Sequence, residues 1–197
     1  QRMDEAARCF SRPHQEETGV ISITMLDAFA HLFSDVFGNF QRKYPRIILN
    51  ITTESHFVDL EQEQVDIAIR LARPLRSGAT LRICKIGDLQ INAYASQAYL
   101  TRLEEHGLNP ATARHRLLAM NLRFSHSDHN FAYGELSWDD LGLSGDVAVW
   151  SDSMLMLARM CEQGQGAAIM PAIIASDYRD LRPVCPDRPG PVGELWM

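Results

Sequence analysis

Two short stretches, Ile23-Thr24-Met25-Leu26-Asp27 and Ile51-Thr52-Thr53-Glu54-Ser55, set hydroxyl and carboxylate side chains where an apolar run gives way to a helix-like pattern. Such a junction can hold a small molecule without reacting with it. The first turn of a helix leaves backbone N–H groups unpaired and carries partial positive charge. In a parallel α/β sheet these junctions gather along the carboxyl ends of the strands. Thr24, Met25, Thr53, Glu54 and Ser55 are therefore expected to form one wall of a binding site. The facing wall is expected from Phe124 and Ser125 in "LRFSH" and from Ser151 and Asp152, just ahead of a helical pattern at Ser153. Each residue also has a plainer use. Thr24 and Ser55 are suited to capping helices, and Asp27, three residues after Thr24, completes a capping-box-like start. Asp66 and Arg70 fall on an apolar strand and read as structural partners or edge charges, while Gly164 and Gly166 read as a turn and a close approach.

Catalytic chemistry finds no foothold. No HExxH, GxSxG or phosphate-loop pattern occurs, and no nucleophile, base and orienting group can be grouped by spacing. His126, Asp128 and His129 in "SHSDHN" match no zinc-ligand spacing and lie in a polar, loop-like segment, so no metal and no cofactor are expected. Cys9, Cys84, Cys161 and Cys185 are far apart and lack a CxxC pair. Cys84 and Cys161, in apolar surroundings, read as buried thiols. With 19 Lys and Arg against 25 Asp and Glu, the formal charge is −6, a poor balance for gripping a phosphate backbone. No run approaches the roughly 18 apolar residues of a membrane span, and no apolar leader core opens the chain. A soluble, cytoplasmic protein is expected.

The elements that position these residues follow from periodicity. "GVISIT" (19–24), "RIILNIT" (46–52) and "VDIAIRLA" (65–72) read as strands. Between the first two, Phe29, Phe33, Val36, Phe37 and Phe40 recur on one face of a helix that must stop before Pro45. "TESHFVDLEQEQ" supplies a second, shorter helix. Strands alternating with helices over short connections give βαβ units and a parallel sheet. A second α/β block follows. "LRICKIGDLQINAYAS" (81–96) reads as two strands or one long bent strand, and Ser96 caps a helix that Gly107 ends. Asn109-Pro110 is expected to open another short helix. "LLAMNLRF", "DVAVWS", "AAIM", "LRPV" and "GELWM" are strands, with a helix from Ser153 to Glu162 ended by Gly164 and a short one starting at Pro171.

"GVISIT" leading into a helix, "F..KYPRIILNI", "VDIAIR", "YASQAYL", "GQGAAIMP" and the terminal "ELWM", in that order and spacing, resemble the effector-binding domain of LysR-type transcriptional regulators from about residue 19 to 197. The resemblance implies an α/β fold of two Rossmann-like subdomains joined by crossing strands, similar to a type 2 periplasmic binding protein. Subdomain I would comprise 19–90 and 191–197, subdomain II 91–190, and residues 1–18 the remnant of a linker helix. A small-molecule effector would sit in the cleft between subdomains. The resemblance further implies a homodimer or homotetramer, with the helix at 27–43 against the partner's second subdomain. Promoter DNA and RNA polymerase would be reached only through the full-length protein, whose winged helix-turn-helix normally precedes the linker, and a further helix would follow the last strand. The family often binds small carboxylates through Ser or Thr at these junctions. Here Met25 and Leu26 add bulk and Glu54 adds negative charge, which implies a neutral, aromatic or amine-bearing effector, or a site already filled by its own side chains.

A sensor domain of this kind is the leading expectation. A periplasmic-type solute-binding protein of the same fold is the alternative, weakened by the lack of a leader and by the unpaired cysteines. An enzyme on the same scaffold lacks a catalytic constellation.

Overall fold

The runs rich in Val, Ile and Thr build the first sheet. β1 (Gly19–Met25) lies between β2 (Ile47–Thr53) and β3 (Ile67–Ile69), and both pairings are parallel. The computed structural model from which this architecture is taken describes residues 17–30, 32–53, 65–71, 82–120 and 138–197. Register fixes what lies side by side. Thr24 is level with Thr52 and Ala68, and Met25 with Thr53 and Ile69, so the carboxyl ends of all three strands coincide.

The helix expected over 27–43 is realised as α1 (Asp27–Ala30) and α2 (Ser34–Lys43). Phe33 N–H bonds Phe29 O at 3.2 Å and Phe37 N–H bonds Phe33 O at 2.9 Å, so the helical bonding pattern persists on both sides of the interruption. The chain leaves α2 at Tyr44, ahead of Pro45, where a helical conformation is disfavoured.

The second sheet hangs on one long strand, β4 (Lys85–Ser96), which resolves the two-strand alternative in favour of a single strand. From Lys85 to Gln90 it pairs antiparallel with β9 (Val192–Trp196); from Ile91 to Ser96 it pairs antiparallel with β7 (Ala167–Pro171) and β8 (Leu181–Pro183). The order of this sheet is β6-β5-β7-β4-β8, in which β5 (Arg114–Met120) runs parallel to β6 (Ser144–Ser151) and to β7. β9 also reaches the first sheet: the backbones of Arg70 and Trp196 exchange two hydrogen bonds, at 2.8 and 2.9 Å.

Capping signals behave as their local chemistry dictates. Ser96 Oγ accepts from Tyr99 N–H at the start of α3 (Gln97–Glu105), and Ser153 Oγ accepts from Met156 N–H at the start of α4 (Met154–Glu162). Gly107 and Gly164, with φ of +72° and +75°, take the left-handed conformation that closes each helix. A Cβ at Gly166 would run into the carbonyl oxygen of Arg116, so this glycine marks a close approach of chains. Pro171 precedes α5 (Ala172–Ala175). Asn109-Pro110 forms a turn and not a helix: Asn109 Oδ1 accepts from Ala111 N–H at 2.9 Å, an Asx turn that competes with helix continuation. The helix expected from "TESHFVDLEQEQ" lies outside the described residues, as does most of the excursion after Met120.

Strand alternation sorts the core to two faces of the second sheet. Tyr94, Ala168 and Met170 point to one face, where α4 brings Leu157, Ala158 and Cys161. Ala93, Ala95 and Ala167 point to the other, against Tyr99 and Leu100 of α3. The first of these clusters also takes in Ile23, Met25, Ala28, Phe29 and Ile69, so both sheets share one apolar core. Cys161 is buried as expected, its thiol pushed up to about 12 by burial. Cys84 departs from expectation. It is exposed on the lead-in to β4, its backbone paired with Met197 and its thiol 3.5 Å from the Lys85 carbonyl oxygen.

His115 is buried on β5 in a fully satisfied network. The Pro110 carbonyl, an acceptor only, fixes the proton on Nε2 at 2.8 Å; Nδ1 then accepts from the Tyr99 hydroxyl at 3.4 Å, whose oxygen takes the Arg116 N–H at 3.2 Å. Burial holds the imidazole below its ordinary pKa, against a smaller opposing effect of the Pro110 hydrogen bond. The unfolded chain then binds this proton at a higher pH than the folded one, so the stability is intact above about pH 6.5 and is lost as pH falls below it. Denaturant unfolding between about pH 7 and 5 should show that loss, and His115→Gln should flatten it.

Candidate functional site

At the carboxyl end of β1 the chain becomes polar inside an apolar core. Thr24 is 2% exposed and Arg70, at the end of β3, 6%. A guanidinium stays charged at this depth and needs acceptors. Arg70 Nη2 donates to Thr24 Oγ1 at 2.9 Å, and Nη1 donates to Ile69 O at 3.1 Å. Thr24 therefore does not cap a helix. Its hydroxyl is directed to a cation 46 residues away, and α1 begins only at Asp27. Because the Arg70 backbone is also paired with Trp196, the same residue ties the end of β1 to β9.

Directly beyond β1 the helix that follows it meets the start of α4. Ser153 Oγ donates to Asp27 Oδ2 at 2.9 Å while accepting the Met156 N–H at 3.3 Å. The hydroxyl thereby joins the N-terminus of α4 to the carboxylate that opens α1. Ser151 Oγ accepts from Ser153 N–H at 3.1 Å and sits 3.6 Å from Met156 Sδ. Asp152 is exposed and Ser151 half-buried.

The expected site residues thus fall into three groups. Thr53, Ser151 and Asp152 lie at or near the surface, at the ends of β2 and β6. Thr24 and Met25 lie beneath it, Met25 with no exposed area, as part of the shared core. Glu54, Ser55, Phe124 and Ser125 lie outside the described residues, as do His126, Asp128 and His129. Asp66 acts as a structural partner: its carboxylate accepts from Ser22 N–H at 2.8 Å, and its own N–H bonds Ser22 O at 2.9 Å. Sequence reasoning missed the pairing of Arg70 with Thr24 and the bond of Ser153 to Asp27. The available signal was a cation ending an otherwise apolar strand; nothing local points from Ser153 to Asp27. Among the described residues no group of three or more His, Cys, Asp and Glu side chains could hold a metal ion.

Two α/β sheets joined through β4 and β9, with strand ends meeting a capped helix start, define an α/β domain of the type 2 periplasmic-binding-protein fold. The LysR substrate binding domain family matches residues 14–197, and the chain belongs to that family, the regulatory portion of LysR-type transcriptional regulators. The chain is 29% identical over 100 residues to the HTH-type transcriptional regulator CrgA of Neisseria meningitidis serogroup B, covering 50% of this chain and 32% of that protein. It is 32% identical over 104 residues to the HTH-type transcriptional regulator PtxR of Pseudomonas aeruginosa, covering 52% of this chain and 31% of that protein. These matches span about a third of the length of the curated relatives. The solved regulatory domain of CrgA superposes with a TM-score of 0.66 at 16% identity, covering 91% of this chain and 88% of that one.

Replacing Arg70 by Met should cost ~2–4 kcal/mol, because Thr24 Oγ1 and Ile69 O lose a buried charged donor. Arg70→Lys should recover only part of this, since an ammonium lacks the forked geometry that reaches both acceptors. Chemical denaturation of the three proteins measures both effects.

Proposed function

We propose that this chain is the effector-sensing part of a LysR-type transcription factor. A small molecule lodges where the strand ends of the first sheet meet the start of α4, and the resulting change in the two sheets is passed to a DNA-binding domain in the full-length protein. Family membership supports the regulatory role. The observation that carries the location is the bond from Ser153, which also holds Ser151, to Asp27, two residues past the end of β1, where Met25 is level with Thr53. A ligand there contacts both halves, which is what coupling binding to their arrangement requires. The division into 19–90 with 191–197 and 91–190 is supported by the change of β4's partner from Val192, at Gln90, to Pro171, at Ile91. Thr53, Ser151 and Asp152 supply accessible groups above the buried Thr24 and Met25, and Glu54, Ser55, Phe124 and Ser125 are the further ligand-binding residues to which the sequence points. The carboxylates of Asp27 and Asp152, with the charge of Arg70 turned inward, favour a neutral or amine-bearing effector over an anion. The role is regulatory and not catalytic, needs no cofactor, and is exercised in the cytoplasm; among the described residues no helix is long and apolar enough to cross a membrane.

The chain works as a homodimer or larger homo-oligomer, and promoter DNA and RNA polymerase are contacted only by the full-length protein. Support for pairing comes from apolar side chains on both outer edges: Val36 of α2 and Ile48 of β2 on one, Val147 and Trp150 of β6 with Met156 of α4 on the other. Trp150, 64% exposed at the edge of the second sheet, is the largest of these.

Two measurements follow. Thermal-shift titration of the 197-residue chain against aromatic amines and small carboxylates should show stabilisation by the former, and Thr53→Trp should reduce that affinity by about tenfold or more. Stabilisation by carboxylates alone contradicts the ligand class. In sedimentation equilibrium, Trp150→Arg should weaken self-association by about tenfold or more.

A further inference from the structure

Asp27 does something other than cap a helix. Ser153 has one hydroxyl proton, and it goes to Asp27 Oδ2; a lone pair of the same oxygen holds the Met156 N–H. The carboxylate therefore rests on the positive end of α4 through the residue that caps it. The bond spans 126 positions in sequence and is partly buried. Apolar packing lies beside it, for Ala28 and Phe29 of α1 are in the same cluster as Leu157 and Ala158 of α4. Away from bulk water, a hydrogen bond to a charged acceptor is strengthened, and its loss leaves groups unpaired.

We propose that Asp27 is an internal clasp, holding the two halves of the unliganded chain together through Ser153. The closed arrangement then needs no ligand. Granting the effector reading above, an amine-bearing ligand acts by drawing the Asp27 carboxylate onto itself and releasing Ser153, so binding unlocks a closed domain and does not pull an open one shut.

A double-mutant cycle with Asp27→Ala and Ser153→Ala, read by thermal unfolding of the ligand-free chain, tests the clasp. If Ser153 only caps α4 and Asp27 only serves α1, the two losses add. The clasp predicts that the shift in midpoint caused by Asp27→Ala is at least halved when Ser153 is already Ala. Small-angle X-ray scattering gives a second readout: Asp27→Ala should raise the radius of gyration, while Asp27→Asn, which keeps an acceptor oxygen for Ser153, should stay near the original. Should Asp27→Ala fail to fold, Ser153→Ala and Ser153→Thr serve the same scattering comparison, Thr retaining the hydroxyl. Additive losses, or scattering unchanged by removal of either partner, overturn the clasp. No ligand enters these experiments, so their outcome is separate from that of the effector titration.

Discussion

The molecule depends on a single strand that changes partners halfway along. β4 gives Lys85 to Gln90 to β9 and Ile91 to Ser96 to β7 and β8. A strand interior to a sheet must satisfy its backbone groups on both sides, which makes its path stiff and its register specific. Because β9 also exchanges hydrogen bonds with Arg70, the end of the first sheet is fixed to the strand on which the second is built. Movement between the sheets must therefore bend this ladder or pivot about it, while each sheet keeps its own pairing.

The polar groups at the junction add specificity to a contact that hydrophobic packing alone would leave loose. Met25, Phe29, Leu157 and Met170 supply burial, and burial is indifferent to direction. Arg70 on Thr24 and Ser153 on Asp27 are directional, and each connects elements far apart in the chain. A sensor benefits from such a division of roles. The apolar part keeps the domain folded in either state, and the few directional bonds are small enough for a ligand's differential affinity to offset.

Much of this was legible in the sequence because local rules decide it. Ser96 as a cap, Gly107 and Gly164 as helix ends, the helix starting at about Ser153, and the order of strands along the chain all follow from chemistry within a few residues. What was not legible depended on partners distant in sequence. Thr24 has the right spacing for a capping box, yet its hydroxyl is claimed by Arg70. Asp27 reads as a first-turn acid until α4 arrives beside it. Asn109-Pro110 reads as a helix start, yet the Asn109 side chain takes the Ala111 N–H and makes a turn. Cys84 sits among apolar residues in sequence yet stays exposed, since hydrophobic neighbours along a chain do not say which face of an edge is covered. The site was legible as strand ends but not by depth: Thr53 and Asp152 reach solvent, while Thr24 and Met25 do not.

If the shared ladder is the organising constraint, the two sheets unfold together although they belong to separate halves. Native-state hydrogen exchange measures this directly, amide by amide. The slowest amides of β1, β4 and β7 should report one common opening free energy with the same denaturant dependence. Exchange of β1 through an opening of lower free energy, with β5 and β7 still protected, would contradict the account, because the halves would then be independent bodies.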